Sequence, residues 1–408
     1  MALVFERICN YLYVIRLFMQ RIYIFLFIIC LFISHPSDAD PQADPGVFKG
    51  KIVFGQTAAL QGPASALGQG VNDGIQAAFH EVNHEGGVKG RKLELIALDD
   101  GYEPEKAITN TNVLITEKEV FALIGGVGTP TANAIQPVTS SNKVPFIGPF
   151  TGAEFLRSPY KRYVVNIRGS YWQETEEWVE RLTTDLGVKR IAILYQDDSY
   201  GRAGLSGVKK ALDKRGLTLV GEGTYKRNTT AVKSAILKIR KSNPEAVVMV
   251  GAYKPCAAFI KLAKKLNLAE YYVNISFVGS DALAQELGED GEGVIISQVV
   301  PFPYGDGLSR IVANYQSALK AYNPDLDFGF VSLEGYMIGR FVIEVLKQSP
   351  DGLTRENFLD TLYNLKDIHI DDLKLSYGPE DNQGMDQVFM TVLHKDGSFT
   401  SVDTLTKE

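Results

Sequence analysis

The sequence predicts an α/β protein built as two doubly wound parallel-sheet lobes. Three observations carry this expectation. Lys51–Thr57 is an apolar strand that opens into a Gly/Ala/Ser loop and then a helix, in which Val71, Ile75, Ala78, Phe79 and Val82 recur at helical spacing. The middle of the chain repeats that order. Arg190–Tyr195 is continuously apolar, a polar turn through Asp197-Asp198 follows, and a helix runs through Val208 and Leu212 to a stop at Gly216. A third pair matches, with Val120–Ile124 feeding Gly125-Gly126-Val127-Gly128-Thr129 and Ala246–Val250 feeding Gly251-Ala252-Tyr253. Strands this uniformly apolar are buried on both faces, as in parallel sheets covered by helices.

Taken from the start, Ile22 to Ile33 is an unbroken apolar run preceded by Arg21, and Ser37-Asp38-Ala39 places small residues where a signal peptidase reads. The run is short for a bilayer span, which needs roughly 20 residues. Tyr11–Phe18 is also apolar, but Arg16 and Arg21 interrupt any longer anchor. Residues 1–39 are therefore expected to be a cleaved signal peptide that exports the protein to the periplasm, with Met1 or Met19 as the start. The segment carries three arginines and two acids, so its loss moves the net charge from −6 to −7. A mildly acidic chain lacks the basic stripe of a nucleic-acid binder. Cys9 and Cys30 leave with the signal and Cys256 remains alone, which excludes an internal disulfide.

The first unit continues from its helix through the Gly86-Gly87 stop to a second strand, Lys92–Leu98, ending on Asp99-Asp100. One β-α-β unit of this kind places ligands at the strand C-termini. In the second unit Leu217–Val220 is the expected partner strand.

Several motifs invite chemistry. His80-Glu81-Val82-Asn83-His84 matches the zincin pattern HExxH. At about 100° per residue the two histidines lie opposite the apolar face of their helix, so they are expected to face solvent. Gly125-Gly126-Val127-Gly128 departs from a dinucleotide fingerprint, since Thr131 stands at the third glycine position and no acid follows at the right distance. The better reading is a loop opening a helix N-terminus, suited to an anion such as a ligand carboxylate, with the Thr129 hydroxyl as a donor. Cys256 follows Pro255 near a helix start, which can lower a thiol pKa, yet no histidine is near it in sequence. Asp99-Asp100 and Asp197-Asp198 are adjacent on extended chain and point opposite ways, so caps or surface contacts suit them better than a catalytic carboxylate pair.

Lys51 to Pro104 resembles the mature start of the leucine/isoleucine/valine-binding protein family, the type I periplasmic solute-binding proteins. The likeness rests on Gly62-Pro63, Gly68, Gly86-Gly87-Val88, Gly90-Arg91 and Asp99-Asp100, and it continues to about Ser398. It implies the type I periplasmic binding protein fold, with discontinuous lobes joined by a three-segment hinge. Lobe 1 would comprise 50–169 plus 302–373, and lobe 2 would comprise 170–301 plus 374–408. The crossings would fall near Gly169–Trp172, Val300–Tyr304 and Leu373–Tyr377.

The resemblance also implies a ligand site. Thr129 would give a hydroxyl to a ligand carboxylate, joined by Phe150, Thr151 and Gly152. Tyr200 and Tyr253 would supply aromatic contacts, Asp281 would meet a ligand ammonium, and Leu67 would line the side-chain pocket. Two departures bear on the ligand: Phe150 is larger than the small residue often found there, and Asp281 stands where a longer glutamate is common. The implied function is delivery of a small amino acid of branched-chain type or a related carboxylate to the membrane subunits of an ABC permease, with an amide or an aromatic carboxylate also within the range the resemblance implies. A ligand-sensing component of a signalling system is the alternative, and a zinc hydrolase built on His80 and His84 is a third. No cofactor, metal or nucleic acid is expected, and the protein is expected to be a monomer and not an enzyme.

Overall fold

The computed structural model describes residues 44–305 and 309–406. The expected signal peptide lies outside the described residues. Among those described, no helix is long and apolar enough to cross a membrane.

The first lobe opens with β1 (Lys51–Ala58), of which all but Lys51 is buried. Helix α1 (Ser65–His84) crosses to β2 (Lys92–Asp99), and α2 (Pro104–Thr116) leads to β3 (Leu123–Ile124). Helix α3 (Thr129–Ser141), β4 (Phe146–Ile147) and β5 (Val164–Val165) complete a five-stranded sheet in the order β2-β1-β3-β4-β5. Every pairing in it is parallel.

The second lobe begins with α4 (Tyr171–Thr184), whose start is fixed by a reciprocal Ser170–Gln173 capping box. It continues through β6 (Ile191–Gln196), α5 (Ser199–Asp213), β7 (Gly221–Tyr225), α6 (Lys233–Arg240) and β8 (Ala246–Val250). Helix α7 (Tyr253–Lys265), β9 (Tyr271–Asn274), α8 (Ser280–Leu287) and β10 (Val294–Gln298) follow. The chain then returns to the first lobe as α9 (Arg310–Tyr322), α10 (Phe330–Gln348), α11 (Arg355–Leu365) and the hairpin β11 (Asp367–Ile370)–β12 (Leu373–Ser376). It ends in the second sheet with β13 (Phe389–Leu393) and β14 (Phe399–Val402).

Three expectations need correction. The second sheet is mixed: its order is β14-β13-β10-β9-β8-β6-β7, and β13 and β14 run antiparallel. The strand beside β6 is Gly221–Tyr225 and not Leu217–Val220. That strand lies on the sheet edge, where small and polar residues suffice, while Leu217 and Leu219 pack on the core from the preceding turn. Leu373–Tyr377 does not cross between lobes, because it pairs with β11. The chain stays with the first lobe as far as Gly384, whose amide donates to the Asn166 carbonyl at 2.9 Å.

Helices α1 and α10 pack closely through glycines on both. A Cβ on Gly74 would stand 2.0 Å from the Ser332 carbonyl oxygen, and one on Gly335 would stand 2.3 Å from that of Val71. Only glycine permits that approach. The seam presses the return segment of the chain onto the first lobe and holds α10 beside the cleft.

Candidate functional site

The cleft is built from loops at the C-terminal ends of the strands of both sheets. On the first lobe, Gly128 takes a φ of 105° and any Cβ there would meet the Tyr102 ring at 2.2 Å. This turn delivers Thr129 to the first position of α3. Its hydroxyl lies 2.7 Å from that of Thr151, which donates to the Tyr171 hydroxyl at 3.2 Å. Thr129, Thr151 and Tyr171 are wholly buried and form one chain of hydroxyls, suited to receiving a carboxylate oxygen.

Phe150 precedes Thr151 directly and faces the second lobe. Its ring lies 5.4 Å from that of Phe277, which in turn is 4.7 Å from Tyr200 and 6.0 Å from Tyr102. Tyr171 and Tyr200 stand 5.6 Å apart. Aromatic pairs at such separations contribute about 0.5–1.5 kcal/mol beyond their buried area. The structure thus brings Thr129, Phe150, Thr151 and Tyr200 into one cluster. Gly152 backs it, since a Cβ there would overlap Tyr171. Leu67 and Tyr253 meet at a second point around Gly279, and the Ala66 amide donates to the Tyr253 hydroxyl at 3.5 Å.

Asp281 sits apart from the hydroxyl chain and already has partners. It accepts hydrogen bonds from the Tyr304 hydroxyl and, at 3.3 Å, from the Phe330 amide at the start of α10. Burial raises its pKa, and these two bonds oppose the shift. It therefore caps a helix of the opposite lobe; its own helix starts at Ser280.

Beneath the rings lies a buried charge cluster that sequence reasoning missed. The Arg168 guanidinium stacks 5.3 Å over Phe150 and 5.8 Å over Tyr171. It pairs with Glu174 at 3.0 Å and with Glu334 of α10 at 3.5 Å. Glu174 is further satisfied by the Ser276 amide and hydroxyl, both at 2.9 Å, and by the Ser297 hydroxyl. Glu334 has less support. Burial pushes its pKa up to about 7, with Arg168 opposing and Glu174 reinforcing the rise. No motif announces these residues, because they come from four separate segments of the chain.

The other candidate groups take structural places. His80 and His84 are exposed as expected, and Glu81 accepts from the Tyr336 hydroxyl at 2.9 Å. Cys256 is buried and burial pushes its thiol pKa up, which suits a packing residue and not a reactive thiol. Asp99 and Asp198 receive backbone amides of Leu60, Gln61 and Tyr200, and Asp100 receives the Thr57 hydroxyl at 2.8 Å. An open groove of about 610 Å³ lies behind the hinge between Trp172, Lys210, Gln383 and Asp386, and none of the expected ligand residues lines it.

Two helix-flanked sheets closing over a buried cluster of hydroxyls and rings define a bilobal ligand-trapping protein. The chain belongs to the periplasmic binding protein family, whose pattern matches residues 51–398. It is 27% identical over 253 residues to the Leu/Ile/Val-binding protein BraC3 of Rhizobium johnstonii, covering 59% of this chain and 65% of that one. With Leu/Ile/Val-binding protein homolog 7 of Brucella abortus it shares 23% identity, over 88% of this chain and 93% of the relative. The chain thus spans just under two thirds of BraC3 and 54% of a Brucella melitensis homologue. Among solved structures, a possible leucine/isoleucine/valine-binding protein from Rhodopirellula baltica superposes with a TM-score of 0.83 at 36% identity, covering 90% of this chain and 98% of that one. An ABC-transporter solute-binding protein from R. palustris, solved with benzoate, shares the fold at a TM-score of 0.76 and 18% identity, covering 86% of this chain and 96% of that one.

Proposed function

We propose that this protein is an extracytoplasmic solute-binding protein that closes its lobes over a small amino acid of branched-chain type, or a related carboxylate, and delivers it to an ABC permease. The observation that carries this reading is the Thr129–Thr151–Tyr171 hydroxyl chain, buried in the cleft directly beside the Phe150 ring. Hydroxyl donors beside an apolar wall suit a carboxylate with an apolar body. The names of the relatives support an amino-acid cargo, and the benzoate complex of a structural neighbour supports the broader carboxylate class. In this reading Thr129, Thr151 and Gly152 hold the carboxylate and Leu67, Phe150, Tyr200 and Tyr253 hold the body; an ammonium on the cargo reaches Asp281 only by competing with its bonds from Tyr304 and Phe330. The protein performs no chemistry; differential affinity for the closed state drives closure.

A thermal-shift screen against amino acids, amides and aromatic acids tests the reading. A ligand at 100 times its dissociation constant adds about 2.7 kcal/mol of stability. Asp281→Asn then separates two forms of cargo: a large loss of affinity marks an amino acid, and no loss marks a plain carboxylate. Sequencing of the exported protein from its N-terminus, expected at Asp40, checks the periplasmic route.

A further inference from the structure

We propose that Phe277 sets the size of the cargo, acting as a rigid stop that limits the site to carboxylates with a compact apolar body. The proposal rests on the carboxylate-binding function above and deepens it. Phe277 stands in the turn that follows β9, at the C-terminal end of a central strand of the second sheet, and it is wholly buried. It is the ring by which the second lobe reaches both Phe150 and Tyr102 of the first, at 5.4 and 6.0 Å.

The turn is clamped on both sides of that ring. On one side Ser276 gives its amide and its hydroxyl to Glu174, both at 2.9 Å, and its hydroxyl also receives Arg168. On the other side Gly279 takes a φ of 79°, and a Cβ there would stand 2.5 Å from Leu67 Cδ2. A side chain held this way does not swing aside for a longer ligand. Tyr200, 4.7 Å away, closes its remaining flank.

The position of the ring relative to the hydroxyl chain makes it the determinant. Phe277 packs on Phe150, the neighbour of Thr151, and on Tyr200, which packs on Tyr171, so the ring borders the hydroxyl chain at two points, and a carboxylate held there carries its body against it. Phe277 carries no polar group, so its influence on a ligand is contact and exclusion. In a hydrophobic pocket one methylene is worth roughly 10- to 200-fold in discrimination.

The test is a binding ladder measured by calorimetry on the full exported chain. The probes are alanine, norvaline, norleucine and 2-aminooctanoate, with propionate, pentanoate, hexanoate and octanoate alongside. The wild type is expected to prefer a short member of either series and to lose at least about tenfold per added methylene beyond it. In Phe277→Ala the ratio of affinity for the longest probe to that for the shortest should rise by about 100-fold or more, and in Phe277→Leu by less. Circular dichroism establishes folding, and if Phe277→Ala fails to fold, the Phe277→Leu ladder decides. An unchanged ladder in a folded variant, or a wild type that takes the longest probes equally well, overturns the proposal while leaving the binding function standing. A wild type that takes no member of either series overturns this proposal, and one that also takes no amino or aromatic acid in the thermal-shift screen defeats the carboxylate reading with it.

Discussion

Arg227 of the second lobe reaches across the mouth of the cleft to Glu103 of the first, Nη2 to Oε2 at 2.9 Å. Beside it, Asn228 donates to the other Glu103 oxygen at 2.8 Å and to the Gly101 carbonyl at 3.1 Å. The second Arg227 nitrogen meets Asp198, the residue that caps α5, at 3.1 Å. The two lobes are thus joined at the rim by charge and at the floor by aromatic rings.

Arg227→Ala should loosen closure without reshaping the pocket. The pair is partly exposed, so its worth is at most about 1 kcal/mol. Affinity for every accepted ligand should fall by the same factor, about fivefold or less. Solution scattering of the ligand-free variant should show a larger radius of gyration than the wild type.

Thr129→Ala should weaken carboxylate binding by about one to two powers of ten, because a hydrogen bond to a charged group contributes roughly 1.5–3 kcal/mol. Calorimetry with any accepted cargo reads this directly. Stability should change little, since Thr151 keeps its bond to Tyr171.

Glu334 should make the protein more stable in mild acid. Its pKa is raised by burial from 4.5 to about 7, so the folded state binds a proton that the unfolded state has released between those values. The stabilisation is complete below the unfolded pKa and is lost as pH rises through 7. At 1.36 kcal/mol per unit the effect is on the order of 3 kcal/mol. Melting curves from pH 4.5 to about 8 should fall with rising pH, and Glu334→Gln should flatten that fall. Asp100, also raised by burial to about 6, contributes a smaller slope of the same sign that the variant retains.

Gly74→Ala should destabilise the fold by about 1–3 kcal/mol, the usual cost of forcing extra atoms into a filled contact. The added methyl meets the backbone at Ser332, which cannot turn away as a side chain can. A lowered melting temperature, with cargo preference unchanged, is the expected result.

The parts of this fold that were legible in the sequence are those decided by local chemistry. Ala246–Val250 reads as a strand because a central parallel strand is buried on both faces, and it is one. The helix start at Thr129 is legible because a glycine loop follows a strand end there, and α3 begins at that residue. Edges were harder, since Gly221–Tyr225 needs only one apolar face and carries no clear pattern. Arg168, Glu174, Glu334 and Phe277 were not found at all. Each looks like an ordinary core or surface residue until the hinge brings the segments together. Asp281 shows the limit from the other side: its position was foreseen through the resemblance, but its bonds to Tyr304 and Phe330 depend on tertiary contacts no spacing reveals.

The glycine seam between α1 and α10 has a bearing on how such a site can change its preference. Leu67 and Glu334 ride on the two helices that the seam fuses, so neither can shift without moving both. A change that displaces either helix therefore disturbs the packing of the lobe. Tyr200, Tyr253 and Phe277 belong to the opposite lobe, and substitutions there leave the seam untouched. Divergence toward a new cargo, in nature or by design, therefore has an open route on one side of the cleft and a closed one on the other.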